Sequence, residues 1–488
     1  MRAKRRNVCQ ICRSRKLACD GKQPACSQCI LRRIPCSGYR QEFVFVSQAS
    51  FEVENQAEMK DESKEITGYQ KKALVKSNDD HTRPIRSSQL VSPSRMDAQL
   101  ETRCYELEDD IQIIVQHYAP INSNAPAESN PLHNQICGAW VEVLPLVSVG
   151  IRKKQFLLSA IKTLATTLRH HKLGNKLCQP QILNMYCDSL GLMRKALEEA
   201  RGAFHIEHSA AIMCLAVTDI MIPTFESTLE SGWMMHMRGV GDLAERLGPE
   251  PFSSGILHTL FMGFRPLLLI SSILQRRKTF LAREEWTTTP FSGQPGSIMQ
   301  LLLNKASELP ALLERYYDMV DLKEVSNIVA VERLRKDFRN ILKSFREWEL
   351  MLHSEAPSPV FWSKPNPGNS SSSDVDVLWF PNIMTANSLT HCWAFEIIAK
   401  RHLSMLGGAI STAEGEKSVA ALAEMICDSM PYLMQPDMKL YGPGSAFFTF
   451  PTAIQIFQSE PDHYSFQLSR CQQILDRLAS IGFHFPRI

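Results

Sequence analysis

Cys9-Gln10-Ile11-Cys12-Arg13-Ser14-Arg15-Lys16-Leu17-Ala18-Cys19-Asp20-Gly21-Lys22-Gln23-Pro24-Ala25-Cys26-Ser27-Gln28-Cys29-Ile30-Leu31-Arg32-Arg33-Ile34-Pro35-Cys36 decides how the first part of this chain folds. Its six cysteines are spaced C-x2-C-x6-C-x6-C-x2-C-x6-C, two copies of one unit joined by a short loop. A segment of roughly 30 residues cannot bury enough apolar surface to fold alone. Something else must hold it, and this spacing points to metal. Thiolates suit soft or borderline ions, and a C-x2-C pair puts two sulfurs on one side of a tetrahedral zinc. Two separate zinc sites would need eight ligands, and the stretch supplies six. The count closes if two sulfurs bridge both metals. Six thiolates and two zinc ions carry a net charge of about −2, which nearby Lys and Arg offset. Metal binding would then supply the folding free energy.

The alternatives fit less well. Independent zinc sites would need extra ligands, and the first histidine of the chain is His81. A redox C-x-x-C belongs with a βαβ pattern, which is missing. A disulfide framework needs an oxidising compartment. The basic N-terminus is not followed by an apolar stretch of signal type. No run is expected to reach the ~18–20 apolar residues that span a bilayer. The longest apolar patch, Pro266–Leu274, is interrupted by Ser271 and Ser272. The expectation is a soluble, intracellular chain with no membrane partner. The other cysteines, Cys104, Cys137, Cys178, Cys187, Cys214, Cys392, Cys427 and Cys471, stand singly in apolar surroundings and read as small buried hydrophobes.

Charge separates the chain further. The net charge is only +3, yet residues 1–40 hold eleven Lys and Arg against Asp20 alone. A head of +10 therefore precedes a remainder of −7, the asymmetry expected where the head meets a polyanion. Arg13, Arg15 and Lys16 share the stretch Arg13–Ala18, which is expected to be a short helix, with a second after the other C-x2-C pair. Lys and Arg can donate to guanine O6 and N7 in the major groove. Arg13, Lys22 and Arg33 suit phosphate contacts, which position rather than specify. The run Arg2-Ala3-Lys4-Arg5-Arg6 reads as an import signal, a disordered phosphate-binding arm or simply a solvated terminus.

On these residues the head resembles the fungal binuclear zinc cluster transcription factors. The cysteine spacing, the basic run between Cys12 and Cys19, the Asp20-Gly21 turn and Pro24 carry the resemblance, over about residues 5–38. It implies two zinc ions as cofactors. Cys9 and Cys26 would bridge them, Cys12 and Cys19 would complete one zinc, and Cys29 and Cys36 the other. It implies that Lys16 contacts a CGG triplet with Arg15 beside it. Ala18 stands where the family often has lysine, which implies one backbone contact fewer. The implied partners are double-stranded DNA, the transcription machinery or co-regulators, and a small-molecule effector. The implied location is the nucleus, and the implied targets are metabolic or secondary-metabolite genes read by RNA polymerase II.

Residues 41–96 are polar, mixed in charge and poor in periodic apolar positions, and read as a disordered linker. A heptad of Leu100, Leu107 and Ile114 is interrupted at the partner positions by Arg103 and Asp110, so a zipper is not expected. One amphipathic helix capping the body is expected instead. From residue 97 onward apolar residues recur at helical steps. This predicts helices near Lys154–His171, Ile182–Arg201, Ser209–Ile222, Gly232–Leu247, Ile256–Gln275, Val329–Leu352, Val377–Leu403, Ala413–Leu433 and Phe466–Ile481. Breaks are expected at Pro223, Gly248-Pro249, Pro290–Gly296 and Gly442–Gly444. Residues 363–376 read as a low-complexity loop. The fold class expected is a small metal-stapled binuclear zinc cluster head over 1–40, a disordered linker over 41–96, and a large all-α domain over 97–488.

The body resembles the regulatory domain that follows the cluster in many of these factors. The resemblance is diffuse and spans about 105–485. Its carriers are Trp233–Pro249, Leu260-Phe261, Arg265, Thr279-Phe280-Leu281 and Glu285-Trp286. No catalytic constellation stands out, so an enzyme is not expected. Gly239-Val240-Gly241 lies within a helical pattern, not after a strand. His170-His171 and His391-Cys392 lack a third ligand at useful spacing. No H-E-x-x-H or G-x-S-x-G occurs. His236 and the Met-rich run Trp233–Met237 read as packing. Asp374–Phe380 reads as a helix start after a loop.

Overall fold

The helix expected over Gly232–Leu247 forms with those bounds. The structure is a computed structural model. It describes Cys19, residues 27–32 and, between 95 and 483, all but 119, 121–135, 149–153, 174–178, 202–204, 223–231, 323–326, 356–358, 366–375 and 409–416. The chain divides into two units between Val91 and Ser92. In the first, the described helix is α1, Ser27–Leu31. The linker expectation lies outside the described residues up to 94.

The second unit is mostly helical and begins with α2, Arg95–Tyr118. After α3, Val143–Ser148, three longer helices follow: α4, Gln155–Leu173; α5, Gln179–Glu199; and α6, Ile206–Met221. Helix α4 packs against α2, α5 and α6. Ile111 and Ile114 of α2 are buried, and Asp110, at an interrupted heptad position, pairs with Arg169 of α4 at 2.6 Å. Ile114 of this heptad is buried and Leu107 packs partly against the core, as expected of a capping helix, while the Leu100 side chain lies outside the described residues.

Helix α7, Gly232–Leu247, leads to α8, Gly255–Gln275, which crosses the core. By length and composition α8 is apolar enough to cross a membrane, which departs from the sequence expectation. More than half of its most apolar window is buried by the rest of the protein, and Leu260, Phe261, Phe264 and Leu269 are wholly covered. The segment carrying Gly138 and Trp140 passes so close to α8 that a side chain is excluded. A Cβ on Gly263 would lie 2.6 Å from the Trp140 Cβ, and one on Gly138 would lie 2.6 Å from the Gly263 Cα. Pro266 has no N–H to offer the Met262 carbonyl one turn back. The Gln300 side chain takes that place, donating to Met262 O at 3.4 Å.

Shorter helices follow: α9, Glu284–Thr288; α10, Ile298–Ala306; and α11, Leu309–Asp321. Then come α12, Ile328–Glu355, and a two-stranded antiparallel ribbon, β1 (Trp362–Lys364) with β2 (Val377–Trp379). The ribbon corrects the expectation of a helix from Val377. Val377 and Leu378 are buried, and Trp379 meets Tyr432 edge to face, so tertiary packing decides this short β-branched and aromatic stretch. The helix begins later, as α13, Ile383–Met405, where Asn382 accepts a bond from Thr385 N at 2.9 Å. Helix α13 is buried on nearly all sides from Ile383 to Phe395. Around it stand α12, α14 (Val419–Leu433) and α15 (Tyr441–Gln458), and α16 (Ser465–Ser480) closes the end.

Gly442–Gly444, expected as a break, is the first turn of α15. A Cβ on Gly442 would lie 2.2 Å from the Leu433 carbonyl oxygen, so glycine here permits close approach rather than ending a helix. Five of the scattered cysteines, Cys137, Cys214, Cys392, Cys427 and Cys471, are buried as expected. Cys187 is exposed, on the outer face of α5.

Candidate metal centre and nucleic-acid interface

Two of the six head cysteines lie among the described residues. Cys29 sits in the middle of α1 with a relative exposure of 1%, and Cys19 is partly covered. Neither forms a disulfide. A five-residue helix that buries a cysteine while Ile30 and Leu31 on it stand 62% and 76% exposed is not shaped by an apolar core. A buried sulfur on a short turn, with its oily neighbours facing outward, fits a thiolate ligand. Helix α1 starts at Ser27, inside the Cys26–Cys29 pair, whereas the sequence placed it after the pair. Cys9, Cys12, Cys26 and Cys36 lie outside the described residues. So do Arg5, Arg6, Arg13, Arg15, Lys16, Lys22 and Arg33, and the helix expected over Arg13–Ala18.

In the second unit, His236 of α7 is a packing residue, as its sequence setting implied. Its Nε2 lies 2.8 Å from the Tyr186 hydroxyl, and burial pushes its pKa down to about 4. Asp219 beside them accepts from the Trp233 N–H at 2.7 Å, and burial raises its carboxyl above the usual range. Met234 and Met237 are buried in the core. His391 stacks on Phe448 and bonds to the Asn387 carbonyl at 2.8 Å, and burial pushes its pKa down to about 4. Among the described residues no three metal-ligating side chains come together.

The sequence reading missed one polar site. A cleft of about 300 Å³ opens between α12, α13 and the segment before α14, lined by Leu342, Arg346, Glu349, Glu396, Lys400 and Lys417 among others. Lys417 pairs with Glu349 at 2.7 Å and Lys400 with Glu396 at 3.6 Å. Lys400 also donates to the Lys417 carbonyl at 2.7 Å. Burial raises the Glu396 carboxyl, and Lys400 opposes that rise. The signal was faint: Glu396 and Lys400 are one turn apart, which on any helix reads as a surface pair.

Residues 7–43 match the model of the fungal Zn(2)-Cys(6) binuclear cluster domain, a zinc-binding domain. An uncharacterized transcriptional regulatory protein of Schizosaccharomyces pombe (strain 972) is 64% identical over 29 residues, which is 6% of this chain and 4% of that relative. No solved structure matches the chain.

Proposed function

We infer that this chain, a fungal transcription factor by the Zn(2)-Cys(6) cluster domain at residues 7–43, is a sequence-specific regulator of RNA polymerase II transcription that reads CGG-type half-sites. The observation that carries the reading is the repeated C-x2-C-x6-C unit within a head of net charge +10. Cys9, Cys12, Cys19, Cys26, Cys29 and Cys36 would hold two zinc ions, which cross-link a segment too small for an apolar core. The head over 1–40 is the DNA-binding part, 41–96 the linker and 97–488 the regulatory body. Lys16 donates to guanine O6 and N7, with Arg15 beside it. Arg13, Lys22, Arg33, Arg5 and Arg6 neutralise phosphates and fix the register. The reading places the protein in the nucleus, on a metabolic gene set, and includes no catalysis.

A direct test measures bound zinc and titrates the full-length protein against CGG-bearing and scrambled duplexes at several salt concentrations. Two zincs per chain and a preference for CGG support the reading. A zinc-loaded protein with equal affinity for both duplexes would sink it.

The charged cleft between α12 and α13 favours a second reading, in which the body binds a metabolite and DNA binding is weak or lost. A cavity of about 300 Å³ with converging charged groups is at the small end of ligand sites. Zinc binding without any DNA retention would favour this second reading over the first.

A further inference from the structure

We propose that Cys427 and Cys471 form an oxidation site in the regulatory body, a dithiol that a hydroperoxide closes into a disulfide. The two sulfurs belong to different helices, α14 and α16, yet lie 3.7 Å apart in direct contact, and both side chains are buried. Two thiols 44 residues apart in sequence meet here, while Cys214, equally buried, makes no such pair among the described residues. A cavity of about 190 Å³ reaches Cys427 and is lined also by Glu424, Asp428, Phe457, Phe466, Gln467 and Arg470. One water occupies about 30 Å³ of liquid, so a molecule the size of hydrogen peroxide fits.

The wall of that cavity carries a group that packing does not explain. Arg470 bonds Asp428 through Nη1, but its buried Nη2 has no partner. An unpaired buried N–H is costly and calls for an occupant. Arg470 lines the cavity that ends on Cys427, and its positive charge opposes the rise of that thiol. Contact with Cys471 and burial raise the Cys427 thiol well above its usual value while the same contact lowers Cys471, so Cys427 attacks by virtue of its place at the cavity, its proton drawn toward the Cys471 sulfur 3.7 Å away.

The step balances without a further reactant. Cys427, which faces the cavity, attacks one peroxide oxygen. The S–O bond forms, the O–O bond breaks, and the second oxygen leaves with the thiol proton as water. The Cys471 sulfur then attacks the sulfenic sulfur of Cys427. The S–S bond forms, the S–O bond breaks, and hydroxide leaves with the second thiol proton as a second water. Two thiols are oxidised by two electrons and one peroxide is reduced. The product ties α14 to α16 at the end of the body.

The test treats full-length protein with graded hydrogen peroxide, alkylates the remaining thiols and maps peptides without reduction. The expected result is a peptide pair joined through Cys427 and Cys471, while Cys214 stays alkylated. In Cys471→Ser the second step is lost, so dimedone should label Cys427. Recovery of both Cys427 and Cys471 in alkylated form, at peroxide levels that oxidise the head thiols, would overturn the proposal. So would linkage of either residue to a different cysteine. Should Cys471→Ser fail to fold, the wild-type map decides alone.

Discussion

Lowering the pH from 7.5 to 5 should destabilise the helical body through three histidines that folding keeps neutral. His208, His236 and His391 each have a pKa pushed from 6.5 down to about 4, chiefly by burial. His208 and His391 are 5% and 4% exposed. Between pH 6.5 and 4 the unfolded chain binds more protons at these groups than the folded one. Stability from this source is therefore full above 6.5 and falls as the pH drops through that window. A shift of this size is worth about 3 kcal/mol per histidine at its limit, and about 2 kcal/mol of that is lost by pH 5. The carboxyls of Asp110, Asp219, Asp242, Asp428 and Glu396, raised by burial, act with opposite sign toward the acid end. A single substitution separates the two effects. His391→Asn can still offer an amide N–H to the Asn387 carbonyl that the His391 ring meets at 2.8 Å, but it cannot titrate. Urea unfolding at pH 7.5, 6.5, 5.5 and 5 would give stability for both proteins. The variant should lose about 2 kcal/mol less than wild type across that range, whatever its stability at pH 7.5. Parallel curves for the two proteins would refute the reasoning.

Arg265→Met should cost about 1–3 kcal/mol in urea unfolding for each buried neutral acceptor it orphans. Arg265 is wholly buried, donates to the Gln300 carbonyl at 3.1 Å and to Gln300 Oε1 at 2.5 Å, and also bonds Asn304 Oδ1. Gly263→Ala should lower the melting temperature, at a cost of about 1–3 kcal/mol, because the added methyl meets the Trp140 Cβ at 2.6 Å. Chelating zinc should abolish DNA binding in a gel-shift titration while leaving the calorimetric transition of the helical body in place. Lys16→Ala should erase the preference for CGG duplexes, whereas Arg5→Ala should weaken all duplexes alike and reduce the salt slope by about 1.

Helix existence in the body was legible wherever one face stayed apolar over several turns, as in Gly232–Leu247. It was less legible where packing outweighed local preference. Val377–Trp379 looked like the front of a helix because Ile383 onward continues its apolar run. Asn382, a capping residue, was the local sign that the helix starts there. Gly442 and Pro443 read as breakers because most such pairs are, yet the glycine is needed for the approach to Leu433. Leu309–Asp321 was legible in the same way as Gly232–Leu247, with apolar residues at Leu309, Leu312, Leu313, Tyr316 and Val320, but was not among the helices expected. The cleft of Arg346, Glu349, Glu396, Lys400 and Lys417 was hidden for a different reason. Its residues come from three separate segments, and only the fold brings them together.

The contrast between head and body has one physical origin. In the head, the same six cysteines would serve as ligands and as the source of folding free energy, because no core is available to a segment that short. Structure and chemistry are then written in one spacing, and both can be read at once. In the body, the core is built from wholly buried groups such as Trp140, Phe261, Phe264, Trp286 and Trp393, which stabilise it whatever it binds. A polar cleft or a dithiol there is an exception to that pattern rather than its cause. Such exceptions surface only as buried groups that packing alone leaves unexplained. The partnerless Arg470 Nη2, on a residue lining the Cys427 cavity, is one, and the raised carboxyl of Glu396 against Lys400 is another. Regulation of the protein should therefore be sought at those two places. The apolar face of α2 is the weaker candidate, because Ile111 and Ile114 are already buried within the body.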